Sequence, residues 1–307
     1  MCTSWYRGGT FIQTDLDPKY LSGRIKAAFP ELFIESARPI FSGAGNSILL
    51  VNGNLVFKFP RTPEDSDRLE KEIDLMNFVQ DSPLPVPKYR YKSSDGDGKF
   101  GGYQYIEGIP LTGLTAPAEE MKLQLSRFLS YLYHATTRLL ERSGLVYQDG
   151  ITWGRKYMRF FSKMMAGNLG RISQGLLLKL EDMFSRFETD LIHDIKTSVI
   201  HGDLYRGNVL VDQGTGRVTG IIDWGFAEIG DPALDFAALA VDLPLKDVKE
   251  MLRLYAGTVD RNFMKRMEFY WRIEPLYGLM GTQDSGSLSR INSVVEVLNS
   301  RLNKSLA

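Results

Sequence analysis

The stretch His201-Gly202-Asp203-Leu204-Tyr205-Arg206-Gly207-Asn208, followed by Ile221-Ile222-Asp223-Trp224-Gly225, sets an Asp, an Asn and a second Asp at 203, 208 and 223. Phosphoryl transfer from a nucleotide uses this set of oxygen-bearing groups. One carboxylate orients the attacking hydroxyl, and an amide and a second carboxylate hold Mg²⁺ against the phosphates. A lone Asp is more often a cap or turn residue. Three groups in this order, bracketed by the apolar pieces Val209-Leu210-Val211 and Gly220-Ile221-Ile222, are much harder to obtain by chance. His201 reads as a structural residue that positions the loop, and His134 and His193 fall in helical patterns where packing or surface roles are expected.

Two upstream segments would complete such a site. Ser42-Gly43-Ala44-Gly45-Asn46-Ser47 places glycines where backbone N–H groups could approach phosphate oxygens; an ordinary hairpin turn is the competing reading, and no Walker A pattern is present. Lys58, within Leu55-Val56-Phe57-Lys58-Phe59, is a candidate partner for α- and β-phosphates, unless strand alternation turns it to solvent. Glu70 or Glu72 on the following helix could pair with it. Glu72 is preferred because it lies nearest the apolar Ile73 and Met76 side.

The elements that must position these residues divide into two lobes. Strand patterns run from Ser36 to Phe41, Asn46 to Val51 and Leu55 to Phe59, the last two joined by Asn52-Gly53, the strongest short hairpin signal. Residues 65–80 carry Leu69, Ile73, Met76 and Val79 at helical spacing, ended by Pro83, Pro85 and Pro87. A further strand pair flanks a turn at Ser93–Gly98 and finishes at Tyr103–Ile106. Beyond Gly108 the chain is mainly helical. Leu125, Phe128, Leu129, Leu132 and Leu139 mark one long helix and 174–195 another. Short strands with a Gly214-Thr215-Gly216 turn carry the 203–223 region, and helices resume at Pro232 with Asp231 as cap. This predicts an α+β, bilobal, protein-kinase-like fold: a small β-rich N-lobe over 1–107 that binds nucleotide, and a larger helical C-lobe over 108–307 for catalysis and substrate.

Composition narrows the partners. Lys plus Arg and Asp plus Glu number 37 each among 307 residues, so net charge favours neither nucleic acid nor an anionic membrane. The one cysteine, Cys2, excludes an internal disulfide framework and any Cys-based zinc site. No signal-peptide core or membrane-length apolar run occurs. A cytoplasmic protein is expected.

With these residues in place, 36–236 resembles the aminoglycoside phosphotransferase family. Its hallmark is HGDxxxxN, then I-I-D-[WF]-G, then D-P-x-x-D-[FL], matched here by His201–Asn208, Ile221–Gly225 and Asp231-Pro232-Ala233-Leu234-Asp235-Phe236. Glu72-Ile73-Asp74-Leu75-Met76 and Leu84-Pro85-Val86-Pro87-Lys88 also resemble the family's N-lobe helix and its exit. The resemblance implies that Asp203 orients the substrate hydroxyl, that Asn208 and Asp223 bind Mg²⁺, that Lys58 holds phosphates and pairs with Glu72, and that Asp235 stabilises the fold. Protein kinases read H-R-D and D-F-G at the corresponding motifs. Here Gly202 replaces the Arg, and the short span from Gly225 to Asp231 leaves no room for an activation loop.

Tyr270-Trp271-Arg272-Ile273-Glu274-Pro275-Leu276-Tyr277-Gly278 resembles the 2-double-prime class of these kinases. That likeness implies that Glu274 meets substrate ammonium groups, with Trp271 or Tyr277 beside it and Asp242 as a second acidic candidate; Glu274 could instead simply favour a helix start. The slight acidic excess beyond residue 200 agrees with a cationic aminoglycoside only weakly. Gly102–Glu107 is the expected hinge, where Gln104 and Ile106 offer backbone hydrogen bonds to a purine. Tyr103 stands at the back of the base pocket and disfavours ATP relative to GTP, unless strand register turns it into the core. The expected donor is GTP or ATP with Mg²⁺, and the expected state a monomer. Two other functions compete: a kinase of another small alcohol of the macrolide, choline or methylthioribose type, and a nucleotide-binding pseudokinase, against which the intact Lys58, Asp203, Asn208 and Asp223 argue.

Overall fold

The Asn52-Gly53 turn has φ of 53° and 71° at its two residues, a left-handed pair that matches strand twist, and with Asn54 it makes a three-residue loop. It joins β2 (Asn46–Val51) to β3 (Leu55–Pro60). The computed structural model describes residues 17–40, 45–79, 81–113, 119–142, 145–168, 172–279, 288–304 and 306. With β1 (Ala37–Ile40), β4 (Tyr89–Asp95) and β5 (Gly98–Gln104), the hairpin forms an antiparallel sheet in the order β1-β2-β3-β5-β4.

Alternation divides β3 between two faces. Leu55, Phe57 and Phe59 pack with Leu49, Val51 and Phe100 against Leu21 and Ile25 of α1 (Pro18–Ala28). Val56 joins the main core with Leu50, Tyr89 and Tyr103 on the side of α2 (Pro63–Phe78). Lys58 shares the Val56 face and so points at α2, not at solvent. Covered on both faces, β3 reads as a continuous apolar run around one lysine. α2 starts on Thr62, whose hydroxyl accepts from the Asp65 N–H, with Pro63 in the first turn. Its buried face, Asp65, Leu69, Glu72 and Met76, follows helical spacing and brings Glu72 beneath the sheet.

Helices and short strands build the rest. They are β6 (Ile109–Pro110), α3 (Glu119–Arg142), α4 (Gly150–Asn168), α5 (Gln174–Arg186), β7 (Ser198–Ile200), β8 (Val209–Val211), β9 (Val218–Ile221), β10 (Glu228–Gly230), α6 (Ala233–Asp242), α7 (Leu245–Leu254), α8 (Phe263–Ile273) and α9 (Leu288–Leu302). β6, β8 and β9 form one small sheet, β10 and β7 another. Aromatic rings from four segments lock this part together, with Phe161 stacked on Phe184 at 4.1 Å and Phe187 on Phe269 at 3.9 Å. No helix among the described residues is long and apolar enough to cross a membrane.

The elements differ from the sequence expectation in several places: α1 is not anticipated, and β4 runs on to Asp95 through the turn expected at Ser93–Gly98. The helix expected over 174–195 ends at Arg186 and continues as a π turn over Phe187–Leu191 and a 3-10 turn over Ile192–Asp194. The strand expected to reach Ile106 stops at Gln104. α4 was not anticipated, although Trp153, Tyr157, Phe161 and Met164, all buried, carry its helical period. α6 begins one residue later than expected: Ala233 opens it and Pro232 takes the cap position, while the Asp231 carboxylate just before accepts the Ala233 N–H at 3.1 Å.

Candidate active site

β7 delivers the chain into the 201–208 loop, and β8 leads it out. Asp235, buried at the start of α6, accepts the His201 and Gly202 N–H groups at 2.8 and 3.0 Å. The loop is thereby pinned to a helix. His201 fixes the other side. Its Nε2 lies 3.1 Å from the Ile222 carbonyl, and its Nδ1 accepts the Asp203 N–H at 3.3 Å. Those two bonds select the neutral Nε2–H tautomer. Burial lowers the imidazole pKa to about 4, so the ring stays uncharged at neutral pH.

Asp203 and Asn208 are locked to each other. The Asn208 amide donates to the Asp203 backbone carbonyl at 2.8 Å and to its carboxylate at 2.9 Å. With both amide hydrogens used, the Asn208 side-chain carbonyl is left for another partner. Burial, then the nearby Asp223 charge, pushes the Asp203 carboxyl well above the ordinary carboxylate range. The Asn208 backbone carbonyl accepts the Ile222 N–H at 3.0 Å, which brings the end of β9 beside the loop. Asp223 follows with φ of 66°, a left-handed conformation that Asp tolerates better than most residues and that often accompanies function.

Lys58 joins the lobes. Its ammonium lies 2.7 Å from Glu72 and 3.0 Å from Asp223. The Tyr89 hydroxyl donates to the other Glu72 oxygen at 2.8 Å. Burial alone would lower the Lys58 pKa, but Asp223 and Glu72 overcome it and hold the lysine charged. The Lys58 charge in turn lowers the Asp223 carboxyl. Asp223 retains an exposed fraction of 39% and an oxygen not engaged by Lys58. That oxygen and the Asn208 carbonyl are two hard donors, the type Mg²⁺ uses alongside water and substrate phosphates. Among the described residues no cluster of three or more His, Cys, Asp or Glu forms an all-protein metal cage.

Lys58, Glu72, Asp203, Asp223, Gly45, Glu274 and Tyr277 all line one cleft of about 410 Å³. Ser42 and Gly43 lie outside the described residues. Tyr103 is buried in the core, edge-on to Tyr89 at 5.1 Å, and is not among the residues lining the cleft, so strand register has turned it inward. The Gln104 side chain is exposed, and Ile106 packs against Gly220. Asp242 and Trp271 do not line the cleft: Asp242 pairs with Arg206 at 2.9 Å, and Trp271 lies under Arg301 at 4.9 Å. Glu274 is held by Arg301 at 2.8 Å and begins a 3-10 turn over Glu274–Leu279. The sequence reading missed Lys156, Arg159 and Lys163, which line the cleft from α4. Their spacing of three and four was the available signal.

Comparison with known proteins places the chain in a family and a fold. Viomycin phosphotransferase of Streptomyces vinaceus is 27% identical over 231 residues, covering 71% of this chain and 78% of that one. An aminoglycoside 3'-phosphotransferase of Streptomyces fradiae is 28% identical over 202 residues, covering 61% and 70%. A shorter match, 36% over 81 residues to the uncharacterized YcbJ of Bacillus subtilis (strain 168), covers 26% of each chain. Among solved structures, a GDP and kanamycin complex of APH(2")-IIIa superposes with a TM-score of 0.83 at 22% identity, over 92% of this chain and 98% of that one. The macrolide 2'-phosphotransferase MphH of Brachybacterium faecium gives 0.71 at 19% identity, over 91% and 98%. Residues 36–266 match the model of the phosphotransferase enzyme family, and the chain belongs to it.

Proposed function

We propose that this protein transfers the γ-phosphate of GTP or ATP to a hydroxyl of a small acceptor held over Asp203, with residues 1–107 serving the nucleotide and 108–307 the acceptor. The observation that carries the reading is one cleft lined by Lys58, Glu72, Asp203 and Asp223, with Lys58 paired to both Glu72 and Asp223 and Asn208 hydrogen-bonded to Asp203 behind it. Lys58 reaches the phosphates from β3, and Glu72 keeps it charged and aimed. Asn208 and Asp223 would hold Mg²⁺, and the ion would supply neutralisation of charge on the transferring phosphoryl group. Asp203 accepts the hydrogen bond of the acceptor hydroxyl and orients it. As the new oxygen–phosphorus bond forms and the bond to the departing diphosphate breaks, the hydroxyl proton passes to the Asp203 carboxylate.

An aminoglycoside is the first acceptor reading, and its phosphorylation would inactivate the antibiotic. Support comes from the motif resemblance and from relatives named as phosphotransferases of aminoglycosides and viomycin. A second reading, another small hydroxylated compound, is favoured by Glu274 and Asp242, which are already neutralised by Arg301 and Arg206. In either case the protein acts as a cytoplasmic monomer without nucleic acid or membrane. The test is Mg²⁺-dependent nucleoside-diphosphate release across aminoglycosides and other alcohols, with Asp203→Ala as control. That variant should lower kcat by on the order of 10²–10⁴, the range for a positioned acid–base group, with nucleotide affinity retained. Undiminished turnover in Asp203→Ala would refute the assignment.

A further inference from the structure

Most charged side chains lining the cleft are neutralised within the protein. Lys58 holds Glu72 and Asp223, Arg68 holds Glu64 and Asp65, Lys156 holds Glu228, and Arg301 holds Glu274. Apart from Asp203, which is hydrogen-bonded to the Asn208 amide, Arg159 and Lys163 differ. Both are exposed, both line the cleft, and neither has an ion pair among the described residues. They stand four residues apart on α4, where like charges repel along a helix face. Phe160, between them in sequence, packs its ring on Tyr277 at 4.6 Å. The two cations therefore belong to the wall built with the Glu274–Leu279 turn, whereas Lys58 serves the cleft from β3.

We propose that the acceptor carries an anionic group, a carboxylate or a phosphate, besides the hydroxyl that is phosphorylated, and that Arg159 and Lys163 bind it. The inference rests on the kinase reading above and names the substrate class for its second acceptor reading. A polycation entering this wall would meet two like charges. It would also have to displace Arg301 from Glu274, a pair with side-chain exposures of 12% and 11%, and breaking a largely buried pair is costly. An anion meets the opposite situation. A guanidinium fork and an ammonium await it, charge-assisted bonds of this kind are about twice as strong as neutral ones, and its charge relieves the repulsion along α4.

The experiment is calorimetric titration of the full chain, saturated with Mg²⁺ and a non-hydrolysable GTP analogue, using glucuronate, glucose 6-phosphate, glucose, glucosamine and kanamycin as probes. The two anionic sugars should bind at least about tenfold more tightly than glucose, as expected for charge-assisted contacts, and less tightly at high salt. In Arg159→Ala/Lys163→Ala that advantage should fall to about twofold or less. Both side chains are exposed, so an unchanged melting temperature will verify that the variant is folded. Tighter binding of glucosamine or kanamycin than of glucuronate, equal or absent binding of all five, or an anion preference that survives the double substitution overturns the proposal. An equal loss of affinity for the nucleotide itself does too, since it would place the pair on the donor. Because the readout is binding, failure of Asp203-dependent transfer to every acceptor would remove the kinase reading while leaving anion selectivity separately measurable.

Discussion

His201 shows how much of a phosphotransfer loop depends on a group that touches no phosphate. Its ring bridges the Asp203 N–H and the Ile222 carbonyl only as the neutral Nε2–H tautomer, and burial lowers its pKa to about 4. In the unfolded chain the imidazole titrates near 6.5, so between those values the unfolded state binds more protons. Stability from this residue is therefore complete above about pH 6.5 and declines as pH falls towards 4. Urea unfolding from pH 7 to 4.5 should show this decline, and His201→Gln should flatten it; a slope identical in the variant would show that other groups carry it. Tyr103 supports a second residue-scale prediction. Its ring is fixed edge-on to Tyr89 in the core, opposite Val56 of β3; as the proposed back wall of a base pocket it would limit how a purine is placed. GTP should surpass ATP in kcat/KM, and Tyr103→Ala should narrow the gap; ATP equal or better in both proteins would defeat the idea. Asp203, Asn208 and Asp223 are legible in the sequence because spacing along short segments encodes them, whereas the inward face of Lys58 is settled only by the strand's register. The Arg301–Glu274 and Arg206–Asp242 pairs were not, because each partner arrives from a distant or separately packed element.

Where two elements meet, the fold constrains a residue that the motif alone leaves open. Gly202 has φ of 77°, and a Cβ there would lie 2.3 Å from the Phe226 carbonyl oxygen. The sequence shows only that Gly replaces the Arg of H-R-D. The structure supplies the reason: the chain beyond β9 passes so close that any side chain must displace backbone. Gly202→Ala should cost about 2 kcal/mol or more, combining left-handed strain of 1–2 kcal/mol with the overlap, and should depress kcat because Asp203 is the next residue. Denaturant unfolding and turnover together test this, and a wild-type midpoint would mean the close approach relaxes freely. Element boundaries follow the same logic. The β2–β3 hairpin was readable because Asn-Gly carries its own geometry. The break after Arg186 was not: Phe187 and Leu191 are buried through a π turn whose rings meet α8 and α4, and no local signal announces those partners. α4 was overlooked for a related reason. Its aromatic period is present in the sequence, whereas Lys156, Arg159 and Lys163 become a cleft wall only once the lobes are assembled.

At the scale of the whole molecule, one hydrophobic core runs from the α2 side of the sheet, through Leu50, Val56 and Tyr103, into the helices beyond residue 119. Polar contacts reinforce the junction. Lys58 pairs with Asp223, the Ile221 N–H donates to the Pro85 carbonyl at 2.9 Å, and Arg68 lies over the Phe226 ring at 4.8 Å. A Mg²⁺–nucleotide complex at this junction would engage Lys58 from the sheet together with Asn208 and Asp223 from the other side. Its binding energy would therefore stabilise both lobes at once. Ligand at a hundredfold excess over Kd adds about 2.7 kcal/mol, which at 2–4 °C per kcal/mol for chains of 150–250 residues corresponds to a Tm rise of several degrees. The rise should require Mg²⁺, disappear on chelation, and shrink sharply in Asp223→Asn. That variant leaves Lys58 paired with Glu72, and Asn tolerates the left-handed φ at 223, so its ligand-free Tm should lie close to that of the parent. An undiminished shift in chelator, or in Asp223→Asn, would place the metal elsewhere. A shift of only one of two separate thermal transitions would mean that the nucleotide binds a single lobe and that the Lys58–Asp223 contact does not couple the two.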